Sequence, residues 1–155
     1  MHVHRYEKAV LAVTGALLLG FLGALFYSAF GMDIHVQSHM ERIDPSAVRT
    51  TPPFDAPGVR EVAPGRWEAV ILGQAWSFTP NEIRVPAGAE VTFTATSADV
   101  VHGFAIEGTR VNMMLVPGQV SQVKYTFDEP GEHLLICHEY CGLGHHVMYG
   151  KVIVE

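Results

Sequence analysis

The chain has 155 residues, 48% of them hydrophobic, with 10 Lys+Arg against 16 Asp+Glu and a formal net charge of −6. That length allows one modest domain and an accessory segment. The acidic balance argues against a nucleic acid as partner and is compatible with a basic one.

From Ala9 to Phe30 there is no Asp, Glu, Lys, Arg or His. As a helix this run reaches roughly 33 Å, enough for a hydrocarbon core of about 30 Å. A cleaved export signal has an apolar region of about 7–15 residues and a small-x-small site after it, and this run is longer and lacks such a site. Residues 1–31 therefore read as a cytoplasmic stub and one transmembrane helix in contact with lipid. Arg5 and Lys8 precede the span and the next cation is Arg42. The positive-inside rule then keeps the N-terminus in the cytoplasm and exports the rest, a single-pass protein of the cell membrane.

Residues 32–65 carry Pro45, Pro52, Pro53, Pro57 and Pro64 and read as a stiff linker. From residue 66 the pattern turns to β. Trp67–Gly73, Glu90–Ser97, Val120–Phe127, Glu132–Cys137 and Val147–Glu155 are short, rich in β-branched and aromatic residues, and partly alternating. Pro86-Ala87-Gly88, Pro117-Gly118 and Pro130-Gly131 separate them as turns. Residues 66–155 thus predict an all-β sandwich or barrel.

The chemistry lies between the last two predicted strands. Cys137, Cys141, His145 and Met148 form C-x3-C-x3-H-x2-M, two thiols, an imidazole and a thioether within twelve residues. These are copper donors, whereas calcium or magnesium would take oxygen. A single-copper blue site needs one cysteine, two histidines and a weak methionine, so the second thiol is what a second copper would require. The remaining imidazole must come from upstream, and His102, ending an apolar β run at Asp99-Val100-Val101-His102, is the candidate. His138 and His146 compete within the loop, where the spacing selects His145. A Cys137–Cys141 disulfide is the default for two cysteines in an exported domain but leaves His145 and Met148 unexplained. A Cys2His2 zinc site would gain nothing from Met148.

The motif Cys-x-Glu-x-Cys-Gly-x-x-His-x-x-Met, with His-Gly-Phe upstream, resembles the CuA domain of cytochrome c oxidase subunit II. The resemblance implies a cupredoxin-like Greek-key domain over 66–155 and a dinuclear copper centre, CuA. Cys137 and Cys141 would bridge the two ions, with His102 and His145 as terminal ligands. Met148 and the backbone carbonyl of Glu139 would be the weak axial donors. It further implies that the Glu139 carboxylate can reach magnesium at an interface with the heme-bearing subunit I. Trp76 falls where the family has aromatic residues at electron entry, and Met114 where many members have an acidic residue that attracts cytochrome c. Glu7 stands where a subunit II carboxylate can lie near a proton path. The expected role is relay of electrons from a cytochrome c or similar small redox protein to subunit I, where oxygen is reduced. With one helix instead of two, the chain looks like the short form of B-type oxidases. The competing readings are a CuA subunit of a nitric oxide reductase and a membrane-anchored thioredoxin-like copper chaperone, the latter disfavoured by the lack of helices after residue 66.

Overall fold

The computed structural model describes residues 4–32 and 41–155. Its contacts divide the chain into two units, residues 1–38 and 39–155.

In the first unit, α1 (Arg5–Phe26) is continued by a wider turn, Tyr27–Gly31, so that Arg5–Gly31 is long and apolar enough to cross a membrane. Its large side chains, among them Leu17, Leu18, Leu19 and Phe21, are exposed all round. A helix apolar on every face has no partner in water, and lipid is the solvent that suits it. At its start the Glu7 carboxylate accepts the His4 N–H at 2.7 Å, satisfying a backbone donor at the helix entry.

The second unit is a two-sheet sandwich. Its strands are β1 (Glu41–Arg42), β2 (Gly58–Ala63), β3 (Arg66–Gln74), β4 (Ser77–Thr79), β5 (Glu82–Val85), β6 (Glu90–Ser97), β7 (His102–Ile106), β8 (Asn112–Leu115), β9 (Gln119–Thr126), β10 (Gly131–Ile136) and β11 (Tyr149–Val154). One sheet has the order β1-β9-β6-β3-β2 with β4 on β3, the other β5-β11-β10-β7-β8. The chain passes repeatedly between the sheets, which is why β3 and β6, and β5 and β11, pair in parallel although no helix joins them. This is the cupredoxin-like sandwich expected from the sequence, with all five predicted strands present.

Residues 41–65 depart from the expected linker. Asp44 accepts the Ser46 N–H at the start of a short 3-10 helix, Pro45–Thr50, and β2 pairs with β3 through a turn at Pro64-Gly65. Val48 and Phe54 are buried and pack with Val70, Leu72 and Val120 as a second small core on the outer face of the first sheet. The same packing explains why Ala69-Val70-Ile71-Leu72 is apolar without alternation: Ala69 and Ile71 face the main core, Val70 and Leu72 the smaller one. Five prolines suggested stiffness, but proline also starts helical turns and ends strands inside a domain. Of the expected linker, residues 33–40 lie outside the described residues.

The main core joins the sheets through Phe78, Phe93, Phe104 and Phe127, with Ile83, Leu115, Leu135 and Val152 around them. Phe104 meets Phe78 edge-on at 5.5 Å and Phe93 tilted at 6.0 Å. Cys137, Cys141 and Met148 belong to this same cluster, so the donor atoms sit at one end of the core.

Candidate metal centre

Two segments supply the donors. The first is the corner between β6 and β7. The apolar run was expected to end at His102, but β6 ends at Ser97 and His102 opens β7. Between them the Ser97 hydroxyl accepts the Asp99 N–H at 3.2 Å and donates to the Val100 carbonyl. A turn held by its own serine thus delivers the histidine to the inner face.

His102 is fully buried. Its Nε2 lies 2.8 Å from Asp99 Oδ1, and a carboxylate only accepts, so Nε2 carries the proton and Nδ1 keeps a free lone pair. That Nδ1 is the one buried side-chain nitrogen or oxygen without a hydrogen-bond partner among the described residues. Burial pushes the Asp99 carboxyl up, but hydrogen bonds from His102 and from the Ala75 and Val100 N–H groups outweigh it and hold the pKa below its ordinary value.

The second segment is the loop between β10 and β11. Its base is closed by the Cys137 N–H donating to the Met148 carbonyl at 3.1 Å. Gly142, at φ 116°, takes a bend that side chains other than glycine rarely adopt. A single 3-10 turn, His145–Val147, then points His145 inward and leaves His146 exposed. His145 Nδ1 lies 3.6 Å from Cys141 Sγ.

The sulfurs converge. Cys137 and Cys141 are both buried and free, with their Sγ atoms 3.8 Å apart, well beyond a disulfide bond of about 2.05 Å. Met148 Sδ is 3.6 Å from Cys141 Sγ, and the Glu139 carbonyl oxygen 3.2 Å from Cys137 Sγ. Donor atoms of His102, Cys137 and Cys141 lie within 4.8 Å of one another. Burial pushes the Cys141 thiol up to about 11, helped by the hydrogen-bonded Cys137 thiol beside it. A buried imidazole with an unused lone pair, facing two unpaired thiols and a thioether, is a donor set that fits copper.

Trp76 seals one side of the loop. Its indole N–H donates to the Cys141 carbonyl at 3.1 Å. A Cβ on Gly144 would fall 2.6 Å from the indole Cγ and Cε3, and one on Gly142 3.1 Å from Nε1, so the ring lies flat on the two glycines. One residue earlier, the Ala75 N–H donates to Asp99 at 2.6 Å, so the β3–β4 turn touches both ligand-bearing segments. Met114 is 37% exposed while Met113 is core. The Glu139 side chain is exposed. Glu7 lies in the other unit, where it holds the His4 N–H. Sequence reasoning missed Asp99 and the seat at Gly142 and Gly144. The available signals were an acidic residue three before the candidate ligand and a Gly-x-Gly inside the motif.

The sandwich and its buried sulfur-imidazole cluster define a copper-binding, cupredoxin-like domain carried on an apolar helix. Residues 70–155 match the family model for the periplasmic domain of cytochrome c oxidase subunit II. Cytochrome c oxidase subunit 2 of Thermus thermophilus is 42% identical over 154 residues, covering 97% of this chain and 92% of that protein. A second Thermus thermophilus sequence of the same name is 46% identical over 118 residues, 75% of this chain and 87% of its own length. Among solved structures, a chain in the cryo-EM structure of a heme-copper terminal oxidase dimer aligns with TM-score 0.79 and 37% identity, over 97% of this chain and 100% of that one. The chain belongs to the cytochrome c oxidase subunit II family, and is thus a subunit of an oxidoreductase complex.

Proposed function

We propose that this chain is the electron-entry subunit of a heme-copper oxidase, with a dinuclear CuA centre in the cluster just described. The observation that carries the reading is the second thiol: two buried, unpaired sulfurs 3.8 Å apart, where one copper would need only one. When bound, the two copper ions would together take up and release one electron.

The chain's own residues do the rest. Cys137 and Cys141 would supply the thiolates that hold the copper, His102 and His145 the imidazoles, and Met148 and the Glu139 carbonyl weak further donors. Asp99 holds His102 in the tautomer whose Nδ1 points inward. His102, Cys137, Cys141 and Met148 are buried, which keeps water from these donors. Trp76, exposed outside and bonded to Cys141 inside, is a path for the incoming electron, and Met114 lies on the exposed surface that receives the donor. A cytochrome c or similar small redox protein is the donor, and heme in subunit I the acceptor. An uncharged Met114 makes that docking weakly dependent on salt. The helix spans the cell membrane with its N-terminus inside and the copper domain outside. Glu139 offers a carboxylate to magnesium at the subunit I contact, and Glu7 stands at the mouth of a proton path.

The test is copper content and electron paramagnetic resonance of the full chain in detergent. Two copper ions per chain, with hyperfine lines of one electron shared equally by two nuclei, are expected. One ion per chain, or a single-nucleus pattern, would sink the proposal.

A further inference from the structure

Outside the buried cluster, two further soft donors, His138 and Met114, flank Gly103 on the opposite face of the same sheet. The β10–β7 register ends with Ile136 opposite Ala105, and two residues further on His138 stands beside Gly103. A Cβ on Gly103 would lie 2.7 Å from the Cγ, Nδ1 and Cε1 atoms of His138. The imidazole therefore lies flat in the space a side chain there would fill. Gly103 pairs in turn with Met114 across β7 and β8. Directly opposed residues project to the same face, with Cβ atoms about 4.5–5.5 Å apart. Glycine thus leaves a gap into which His138 leans, beside Met114. His138 is exposed and Met114 is 37% exposed, whereas His102, one residue before Gly103, points inward and is fully buried. Neither His138 nor Met114 is in the ligand set proposed above.

We infer that His138 and Met114 form a surface site for monovalent copper, from which the ion passes to the thiols behind it. An imidazole and a thioether bind this soft ion and have little affinity for calcium or magnesium. Cu(I) is content with two donors in a line, and the flexible methionine side chain can bring its sulfur to the ring. His138 follows Cys137 directly, so the entering ion is one residue from its first buried ligand. The handover is ligand exchange. Bonds from copper to the His138 nitrogen and Met114 sulfur break, bonds to Cys137 and Cys141 sulfur form, the thiol protons leave to solvent, and copper stays monovalent. This delivery role rests on the copper reading of the buried centre, while the surface site itself does not.

The experiment uses the full chain in detergent. In a Cys137→Ser/Cys141→Ser chain, checked for folding by circular dichroism, Cu(I) is titrated against a competing chelator. One ion per chain more than in the same chain with a further Met114→Leu or His138→Gln is expected, since His145 and the buried His102 and Met148 are common to all three. Independently, the copper-free chain with its cysteines intact is loaded from a Cu(I)–chelator complex. Met114→Leu and His138→Gln should each slow loading of the buried centre severalfold, and after the chelator has stripped the surface site they should hold the same two ions as the unsubstituted chain. Equal Cu(I) content in the cysteine-free chain with and without those further substitutions, or loading rates equal to that of the unsubstituted chain, would overturn the proposal. Final content below two per chain would count against the dinuclear reading, and the one-ion difference in the titration would still decide on the surface site.

Discussion

Removing the Asp99 carboxylate should loosen the metal centre without touching a proposed ligand. Asp99 accepts hydrogen bonds from Ala75 N–H at 2.6 Å, Val100 N–H at 2.7 Å and His102 Nε2–H at 2.8 Å. Ala75 and Val100 are exposed, so in Asp99→Ala water takes over those two bonds at little cost. His102 is fully buried and its Nε2–H loses its acceptor, a loss of about 1–3 kcal/mol. The Asp99 side chain is 36% exposed, so water partly fills its place, and about 1.5 kcal/mol is the fair expectation. For the unit of residues 39–155 the unfolding entropy is about 0.25 kcal/mol/K, so the metal-free protein should melt about 6 °C lower. The freed imidazole should also lower copper affinity about 10–100-fold, the usual effect of losing a partner that orients a ligand. Asp99→Asn separates the two contributions. Its carbonyl can keep His102 and Val100 while its amide opposes the Ala75 N–H, so copper affinity should hold far better than in the alanine variant. Competition titration with a copper chelator and thermal unfolding read both quantities. Equal affinity and equal melting temperature in Asp99→Ala and the unsubstituted chain would refute the role of this carboxylate.

Gly144→Ala places a methyl group inside the Trp76 ring and should expel the indole, breaking the bond to the Cys141 carbonyl. Nuclear magnetic resonance should then show faster hydrogen exchange at the Trp76 indole N–H, and unchanged protection would contradict the stacked geometry. Copper affinity should rise with pH. The Cys141 thiol, pushed up to about 11, is protonated at neutral pH and must lose its proton to bind. That thiol alone contributes about tenfold per pH unit below its pKa, and titrations at three values between pH 6.5 and 8.5 that give one affinity would refute it. Phe54→Ala should cost about 3 kcal/mol, because Phe54 is 1% exposed in the second core. A denaturant midpoint like that of the unsubstituted chain would return residues 41–65 to the status of linker.

Much of the protein was written locally. An uncharged run of membrane length needs no tertiary information, because its solvent decides its structure. β3, β6, β9, β10 and β11 announced themselves because central strands carry long β-branched stretches that pack on at least one face. The donors in one loop were legible from spacing, since twelve residues closed at Cys137 and Met148 cannot separate far. The short edge strands β1, β2, β4, β5 and β8 were not, because pairing with a longer neighbour forms them and their own composition does not. Nor could the prolines of 41–65 reveal that Val48 and Phe54 cover the outer face of a sheet. What joins Asp99 to Ala75, Trp76 to Gly144 and His138 to Gly103 is the meeting of β6–β7, β3–β4 and β10–β11 at one end of the sandwich. Such meetings are fixed by sheet register, which depends on the whole core at once and leaves no mark in any single segment.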